Sequence, residues 1–182
     1  MESAFMNEEL FLIKPSIEYL EQIYEYRKEF RDNNEHMYGT SSLERFENIE
    51  EWIKWVERNY CEESCDKEFV PSFQFLTIRK LDKKVIGMVN IRHKLNEHLL
   101  RVGGHIGYSV RKSEREKGYG KEQLRLALLE AKNLDINNVL ITCDKDNFSS
   151  RNTILSANGV LENEIKDEDE IIQRYWINNK EI

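Results

Sequence analysis

Two glycines one residue apart stand at the start of a predicted helix in the stretch REKGYG, residues 115–120. The apolar run HIGYSV precedes this stretch, and KEQLRLALLEAKNL follows it with apolar residues at helical spacing. A glycine inside a helix costs about 1 kcal/mol relative to alanine, so this backbone needs positions that carry no Cβ. The buried run VLITC comes next. The region therefore predicts a strand–loop–helix–strand unit with two parallel strands.

A loop that enters a helix from a strand exposes consecutive N–H groups and the positive end of the helix dipole, which together favour a bound anion. Gly118 and Gly120 would let phosphate oxygens approach this backbone closely. The alternative is a plain strand-to-helix turn without a ligand. A Walker A loop is excluded because Arg115 and Glu122 replace its glycine and its Ser/Thr, and Gln123 replaces the third glycine of a dinucleotide-binding loop.

The rest of the chain gives a regular alternation of apolar segments without repeats or linkers, which predicts a single domain over residues 1–182. A connection, KLNEHLLRVGG, joins the third strand to HIGYSV. Before this region the chain predicts a strand from Leu10, two helices over Ile17–Arg31 and Leu43–Tyr60, and a hairpin of FQFLTIRK and VIGMVNIRH. After VLITC it predicts a helix over SSRNTILSAN and a final hairpin of VLENEI and IIQRYWINN.

Two motifs in this order of elements resemble the general-control-related N-acetyltransferase (GNAT) superfamily. Residues 115–120 match its pyrophosphate signature Arg/Gln-x-x-Gly-x-Gly/Ala at every specified position. The segment CDKDNFSSRNTILSANGV resembles the GNAT segment that ends the fifth strand and forms the next helix, through Asn147, Ser150, Ile154, Asn158 and Gly159. The stretches GHIGYSVRKSE, NIRHKLN and YWI add to this resemblance. From about Leu10 to Ile177, the chain is similar to a bacterial subgroup of GNAT proteins without an assigned substrate.

The resemblance implies an α/β (mixed α+β) GNAT fold. Its central sheet of six to seven strands is mixed and mostly antiparallel, with a parallel fourth/fifth strand pair, and about four helices flank it. The resemblance also implies acetyl-CoA as co-substrate, held where the fourth and fifth strands separate. The residues that it assigns to acetyl-CoA are Tyr108, Ser109 and Val110 for the pantetheine, Arg115, Glu116, Lys117, Gly118, Tyr119, Gly120 and Lys121 for the pyrophosphate, and Asn147 and Ser150.

The implied activity is transfer of an acetyl group from acetyl-CoA to a primary amine of a small molecule or peptide. This reaction needs a base for the amine, an N–H donor for the oxyanion, for which Ser109 or Val110 could serve, and a proton for the departing thiolate. We expect His105 to be the base, because it lies on the strand where related enzymes carry a Glu. The next candidates are His93, His98 and Glu97.

Many GNAT enzymes carry a tyrosine acid on the helix after the fifth strand, and that helix has none here. Ser150, Tyr108 or water could supply the proton instead. Asn147 could bind pantetheine or simply cap the helix. We expect the acceptor between the two early helices and the loop over residues 61–71. Aromatic residues that could line its pocket, or else belong to the core, are Trp52, Trp55, Tyr60, Phe69 and Phe73.

The charge distribution limits the partners. A net charge of −7 without a separate Lys/Arg stripe argues against nucleic acid and favours a cationic or amine ligand. Neither a long apolar run nor a secretory leader is visible, which predicts no membrane association and a cytoplasmic location. A homodimer stays open.

The three cysteines, Cys61, Cys65 and Cys143, form neither a CxxC pair nor an even set. We therefore expect reduced thiols and no metal site, although Cys61 and Cys65 could hold half of one. Two other functional readings stay open: a GNAT-fold module that binds acyl-CoA without turnover, and an unrelated fold with no CoA affinity.

Overall fold

The computed structural model describes residues 9–181 and contains seven strands and five α-helices in that range. The strands are β1 (Leu10–Ile13), β2 (Ser72–Arg79), β3 (Val85–Arg92), β4 (Ile106–Val110), β5 (Asn138–Asp144), β6 (Val160–Asp167) and β7 (Glu170–Asn178). The helices are α1 (Leu20–Asp32), α2 (Ile49–Arg58), α3 (Glu97–Arg101), α4 (Tyr119–Asn133) and α5 (Phe148–Ser156). This mixed α/β architecture confirms the predicted fold class.

The strands form a four-stranded sheet in the order β1-β2-β3-β4 and a three-stranded sheet in the order β5-β7-β6, and all paired strands are antiparallel. Between the fourth and fifth strands the described residues show only a single antiparallel bridge, from Gly104 to Ile141. The expected parallel ladder is therefore not found. Beyond this bridge the two strands separate, and the gap faces the loop that follows β4.

Helices cover both faces of the first sheet because its central strands are buried on both sides. One core cluster packs α1 and α2 against residues such as Leu76 and Met88. The second cluster packs α4 and α5 against Phe75 and Val89 from the opposite face, and continues to β5 and β7. Neighbouring residues along β2 and β3 thus point to different cores, as the two-residue period of a strand requires.

Two local differences from the sequence prediction have a common cause. The helix expected over Leu43–Tyr60 is divided into a 3₁₀ turn at Leu43–Arg45 and α2, because the Oδ1 atom of Asn48 accepts a hydrogen bond from Glu50 N and caps a new helix. Asn96 caps the short α3 in the same way, within a segment expected to be a plain connection. Within residues 9–181, no helix combines the length and apolar character needed to cross a membrane.

Candidate active site

The loop between β4 and α4 ends in a glycine, so no side chain covers the backbone at its last residue. Gly118 is the N-cap of the 15-residue helix α4 and adopts the left-handed conformation, with φ +83° and ψ −6°. A Cβ atom built on Gly118 would meet no heavy atom within 4 Å, and no side chain of the described residues caps this helix. The start of α4 therefore has no capping side chain, and the space beside Gly118 is open, as an anion site at a helix N-terminus requires.

Ion pairs fix the loop to the body of the protein. The carboxylate of Glu29 on α1 accepts hydrogen bonds from the Arg111 side chain and from the Ser113 backbone. Arg115 donates to Glu35, and its Nε atom donates to the Val110 carbonyl. The loop is thus positioned by α1 before any ligand binds.

Glu114 is the buried centre of this arrangement, because it is only 3 % exposed and accepts hydrogen bonds from Arg79, Lys84 and Lys117. Burial alone would raise the pKa of Glu114, but the three cationic donors outweigh it and lower the pKa to about 2. The predicted phosphate ligands Arg115 and Lys117 therefore already have carboxylate partners. Lys121 has none within the part of the chain that the structure describes.

The free edge of β4 follows from its register with β3. Arg92 N donates to His105 O and Arg111 N donates to Ile86 O, so the hydrogen-bonded pairs include Gly107 and Ser109. The backbone groups of Tyr108 and Val110 consequently point away from β3, toward the gap before β5. Of these groups, the Val110 carbonyl already accepts a hydrogen bond from Arg115 Nε.

Side chains from β4 and α5 meet beside the gap. The Tyr108 hydroxyl lies 3.0 Å from the Ser150 hydroxyl. Burial of the ring raises the pKa of Tyr108 to about 12, so the phenol stays protonated at neutral pH. The Oδ1 atom of Asn147 accepts a hydrogen bond from Ser150 N and caps α5, while the Asn147 amide nitrogen takes no part in that cap.

A cavity of about 340 Å³ lies between the segment over residues 36–44, the end of β3 and α3, and one of its lining residues, Gly39, is in contact with Gly107 of β4. Gly39 approaches β4 so closely that a Cβ at Gly39 would stand 2.2 Å from the Gly107 carbonyl oxygen. The polar and charged side chains that line the cavity include His36, Glu44, Glu68, Asn90, Arg92 and His98, and the aromatic ones are Tyr38, Trp55 and Phe69.

A family model for the GNAT acetyltransferase domain matches residues 9–159 of the 182. The chain belongs to the GNAT acetyltransferase family. A search of curated protein sequences found no match to the chain.

Several solved structures share this GNAT fold at low identity. Mutant forms of the spermidine/spermine N-acetyltransferase SpeG from Vibrio cholerae give a TM-score of 0.67 at 14 % identity, over 96 % of each chain. The microcin C7 self-immunity acetyltransferase MccE, solved with acetyl-CoA and AMP, gives 0.66 at 18 %, over 93 % of this chain and 92 % of that one. An acetyltransferase from Salmonella typhimurium that modifies the N-terminal serine of a ribosomal protein gives 0.63 at 16 %, over 92 % and 94 %.

The predicted base of this GNAT protein, His105, is outside the lining of the cavity. Its Nδ1 atom accepts a hydrogen bond from Leu140 N at 3.0 Å, and its ring lies edge-on to Trp176. Burial and, secondarily, the nearby Arg92 cation lower the pKa of His105 to about 4. The imidazole is therefore neutral, with its proton on Nε2, and its only lone pair is directed at Leu140.

The other candidate bases are distributed differently. His98 lines the cavity, whereas His93 and Glu97 are exposed residues outside its lining. Ser109 has its side chain buried, with Oγ 2.8 Å from the Tyr26 hydroxyl, so this residue is tied to α1. Val110 is left as the oxyanion-donor candidate whose N–H points into the gap.

The structure separates the aromatic residues that we expected around the acceptor. Trp55 and Phe69 line the cavity, whereas Trp52 is fully buried and donates to the Thr40 carbonyl. Tyr60 and Phe73 stack on each other outside the cavity lining. Sequence reasoning missed the contribution of residues 36–44, although the single Gly39 between polar residues is a local sign of a close backbone approach.

The thiols show no metal arrangement. Cys61, Cys65 and Cys143 are free, and within residues 9–181 no group of three or more His, Cys, Asp or Glu side chains could hold a metal ion. The Cys143 thiol is buried beside α5, where burial raises its pKa to about 11.

Proposed function

We propose that this GNAT protein is an acetyl-CoA-dependent N-acetyltransferase that acetylates a primary amine of a small molecule or peptide. The observation that carries the proposal is the open left-handed Gly118 at the uncapped start of α4, beside the free edge of β4. The proposal of an amine acceptor is supported by SpeG, which shares the fold and is a spermidine/spermine N-acetyltransferase.

The donor would bind along the gap between β4 and β5. Backbone N–H groups from Arg115 to Gly120, with Glu116 and Tyr119 between them, would hold the pyrophosphate. Lys121 would add a charge, and Arg115 and Lys117 would add more where they exchange their carboxylate partners for phosphate. The backbone of Tyr108 and Val110 and the amide nitrogen of Asn147 would bind the pantetheine.

When bound, acetyl-CoA supplies a thioester carbonyl that an amine can attack. A C–N bond forms, the C–S bond breaks, and the amine loses one proton while the sulfur gains one. The N–H of Val110 would stabilise the oxyanion. The Tyr108–Ser150 pair would donate the proton to sulfur, since Tyr108 is protonated at neutral pH and Ser150 can orient the Tyr108 hydroxyl.

For the base, the geometry supports His98 ahead of His105. His98 lines the acceptor cavity, so the amine can reach its ring. His105 could accept a proton only after breaking its hydrogen bond with Leu140, and its lowered pKa makes it a weak base. We keep His105 as the second candidate for direct comparison.

The test of the donor site uses two substitutions of Gly118 with different demands on the backbone. Asparagine tolerates the left-handed conformation, so Gly118→Asn places a side chain in the open space with little strain. Gly118→Val also places a side chain there, and in addition it strains the left-handed backbone. Thermal unfolding is measured with and without acetyl-CoA, with ATP and NAD as controls.

A ligand at about 100 times its dissociation constant adds about 2.7 kcal/mol to the free energy of unfolding, which is a shift of several degrees. We expect this shift for the wild-type protein with acetyl-CoA only, and its loss in Gly118→Asn at an almost unchanged ligand-free midpoint. An unchanged shift in Gly118→Asn would contradict the donor site. Release of free thiol with a panel of amines then separates an enzyme from a module that only binds acyl-CoA.

A further inference from the structure

Arg92 is a cation in the acceptor cavity without an acidic partner. It ends β3, its side chain is half-buried, and it lines the cavity. Its Nη1 atom donates to the carbonyl oxygens of Gly103 at 3.1 Å and Gly104 at 3.0 Å. No carboxylate of residues 9–181 forms an ion pair with it. Burial lowers the pKa of Arg92 to about 10, so it keeps its charge at neutral pH.

The unused part of the guanidinium is on the side of β4. A Cβ on Gly107 would lie 3.4 Å from Arg92 Nη2, whereas Nη1 is the atom that contacts the Gly103–Gly104 turn. A guanidinium has five N–H donors in a planar fork, and two of its bonds here go to neutral carbonyls. A partly desolvated cation with unused donors is satisfied best by a carboxylate, which accepts two parallel hydrogen bonds.

The rest of the cavity suits the other parts of a zwitterion. Glu44 and Glu68 line it and can attract an ammonium group, and Tyr38, Trp55, Phe69 and Leu99 give it an apolar wall. Its volume of about 340 Å³ lies at the small end of ligand pockets and is sufficient for an occupant of roughly the size of an amino acid.

We propose that Arg92 determines acceptor specificity by binding the α-carboxylate of an apolar amino acid, whose α-amine is then the group acetylated. Because Arg92 Nη2 lies beside Gly107, a carboxylate held there places the neighbouring α-amine next to the β4 edge where the thioester would lie. A distant carboxylate would place the amine elsewhere in the cavity. This substrate assignment rests on the proposed acetyltransferase function for the reaction, but its binding step can be tested alone.

The experiment measures binding by calorimetry in the presence of CoA, which cannot transfer an acetyl group. The probes are L-leucine, L-methionine and L-phenylalanine, each compared with its C-terminal amide. The amide keeps the amine and the side chain and lacks only the negative charge. We expect at least one acid to bind ten or more times tighter than its amide, and Arg92→Met to remove that difference.

Two further proteins make the result specific. Arg92→Lys keeps a cation without the planar fork, and we expect it to retain part of the preference. Arg101→Met removes an exposed arginine of α3 whose partner is Asp167, and should leave the preference intact. Unfolding midpoints within a few degrees of wild type verify that each variant folds.

The proposal is overturned if no acid binds tighter than its amide, or if folded Arg92→Met keeps the preference. These outcomes differ from failure of the proposed function. An acid preference that depends on Arg92, together with no thiol release from acetyl-CoA, would sustain the carboxylate site and reject acetyl transfer. Thiol release with amines but equal affinity for acids and amides would do the reverse.

Discussion

The Tyr108 hydroxyl on β4 lies 3.0 Å from the Ser150 hydroxyl on α5, and this contact joins the two elements that border the gap between β4 and β5. Burial raises the pKa of Tyr108 to about 12, so the pair holds a proton throughout the neutral range. The helix after the fifth strand lacks a tyrosine, and Tyr108 brings a phenol to the same gap from the opposite side. The absence of a helix tyrosine therefore does not leave the gap without a proton donor.

Tyr108→Phe tests this proton donor, since it removes only one oxygen. General acid catalysis contributes about 10²–10⁴-fold, so we expect kcat to fall by about a hundredfold or more while the KM for acetyl-CoA changes less than threefold. The readout is release of free thiol under saturating substrates. Ser150→Ala is the matched control, because it keeps the phenol and loses only its partner, and should cost less. A wild-type kcat in Tyr108→Phe would reject the assignment.

Glu114→Gln tests whether one buried carboxylate holds the phosphate loop in place. Removing one partner of a buried ion pair costs about 3–5 kcal/mol, because it leaves cations without compensation. The carboxylate of Glu114 has its pKa lowered to about 2, so its contribution is complete above pH 4.5 and is lost as the pH falls toward 2. Wild type and variant should therefore differ most near neutral pH and converge in acid, as measured by urea unfolding at several pH values.

The same variant should also weaken acetyl-CoA binding, because Lys117 and the turn before Gly118 lose their anchor. Asp32→Asn is the control. It breaks the exposed pair between Lys28 and Asp32, and because solvent screens exposed ion pairs, we expect a much smaller change in the free energy of unfolding than in Glu114→Gln. Equal losses in the two variants would show that Glu114 has no special role.

The strand–loop–helix unit around Gly118 and the order of elements could be predicted from the sequence because their signals are local. The two glycines, the helix after them and the strand on either side lie within about forty residues, and the residue spacing excluded a Walker A loop and a dinucleotide-binding loop. The break before α2 and the short α3 were missed, because single asparagine caps at Asn48 and Asn96 decide them. Such caps are common in turns as well as at helix starts.

The cavity bordered by residues 36–44 could not be predicted, because it depends on contacts between distant parts of the chain. Gly39 touches Gly107, and no spacing rule relates two positions so far apart. Arg92 read as an ordinary strand residue, since nothing local shows that its guanidinium lacks an acidic partner. His105 was chosen for an expected place on the fourth strand, but it lies just before β4, and the direction of its lone pair depends on Leu140 of β5.

His98 and His105 can be separated by their effects on turnover and on stability. We expect His98→Gln to lower kcat under saturating substrates, and His105→Gln to leave kcat near the wild-type value. The pKa of His105 is lowered to about 4, so the folded protein resists protonation and wild type loses stability as the pH falls from about 6.5 to 4. His105→Gln should flatten this part of the stability curve. A wild-type kcat in His98→Gln together with a reduced kcat in His105→Gln would restore His105 as the base.

Gly39→Ala tests whether the segment over residues 36–44 shapes the acceptor cavity. Gly39 has φ +66°, and its added Cβ would lie 2.2 Å from the Gly107 carbonyl oxygen, so the segment must move away from β4. The backbone strain costs about 1–3 kcal/mol, and the displaced residues include His36 and Tyr38 of the cavity wall. We expect the KM for the acceptor to rise at least tenfold while the thermal shift with acetyl-CoA is kept, because the phosphate loop is attached to α1 through Glu29 and does not need this segment.

Gly120→Ala is the matched control: its Cβ would find only the Thr153 hydroxyl at 3.5 Å, so the acceptor KM should stay near wild type. An acceptor KM unchanged in Gly39→Ala would show that the amine binds elsewhere.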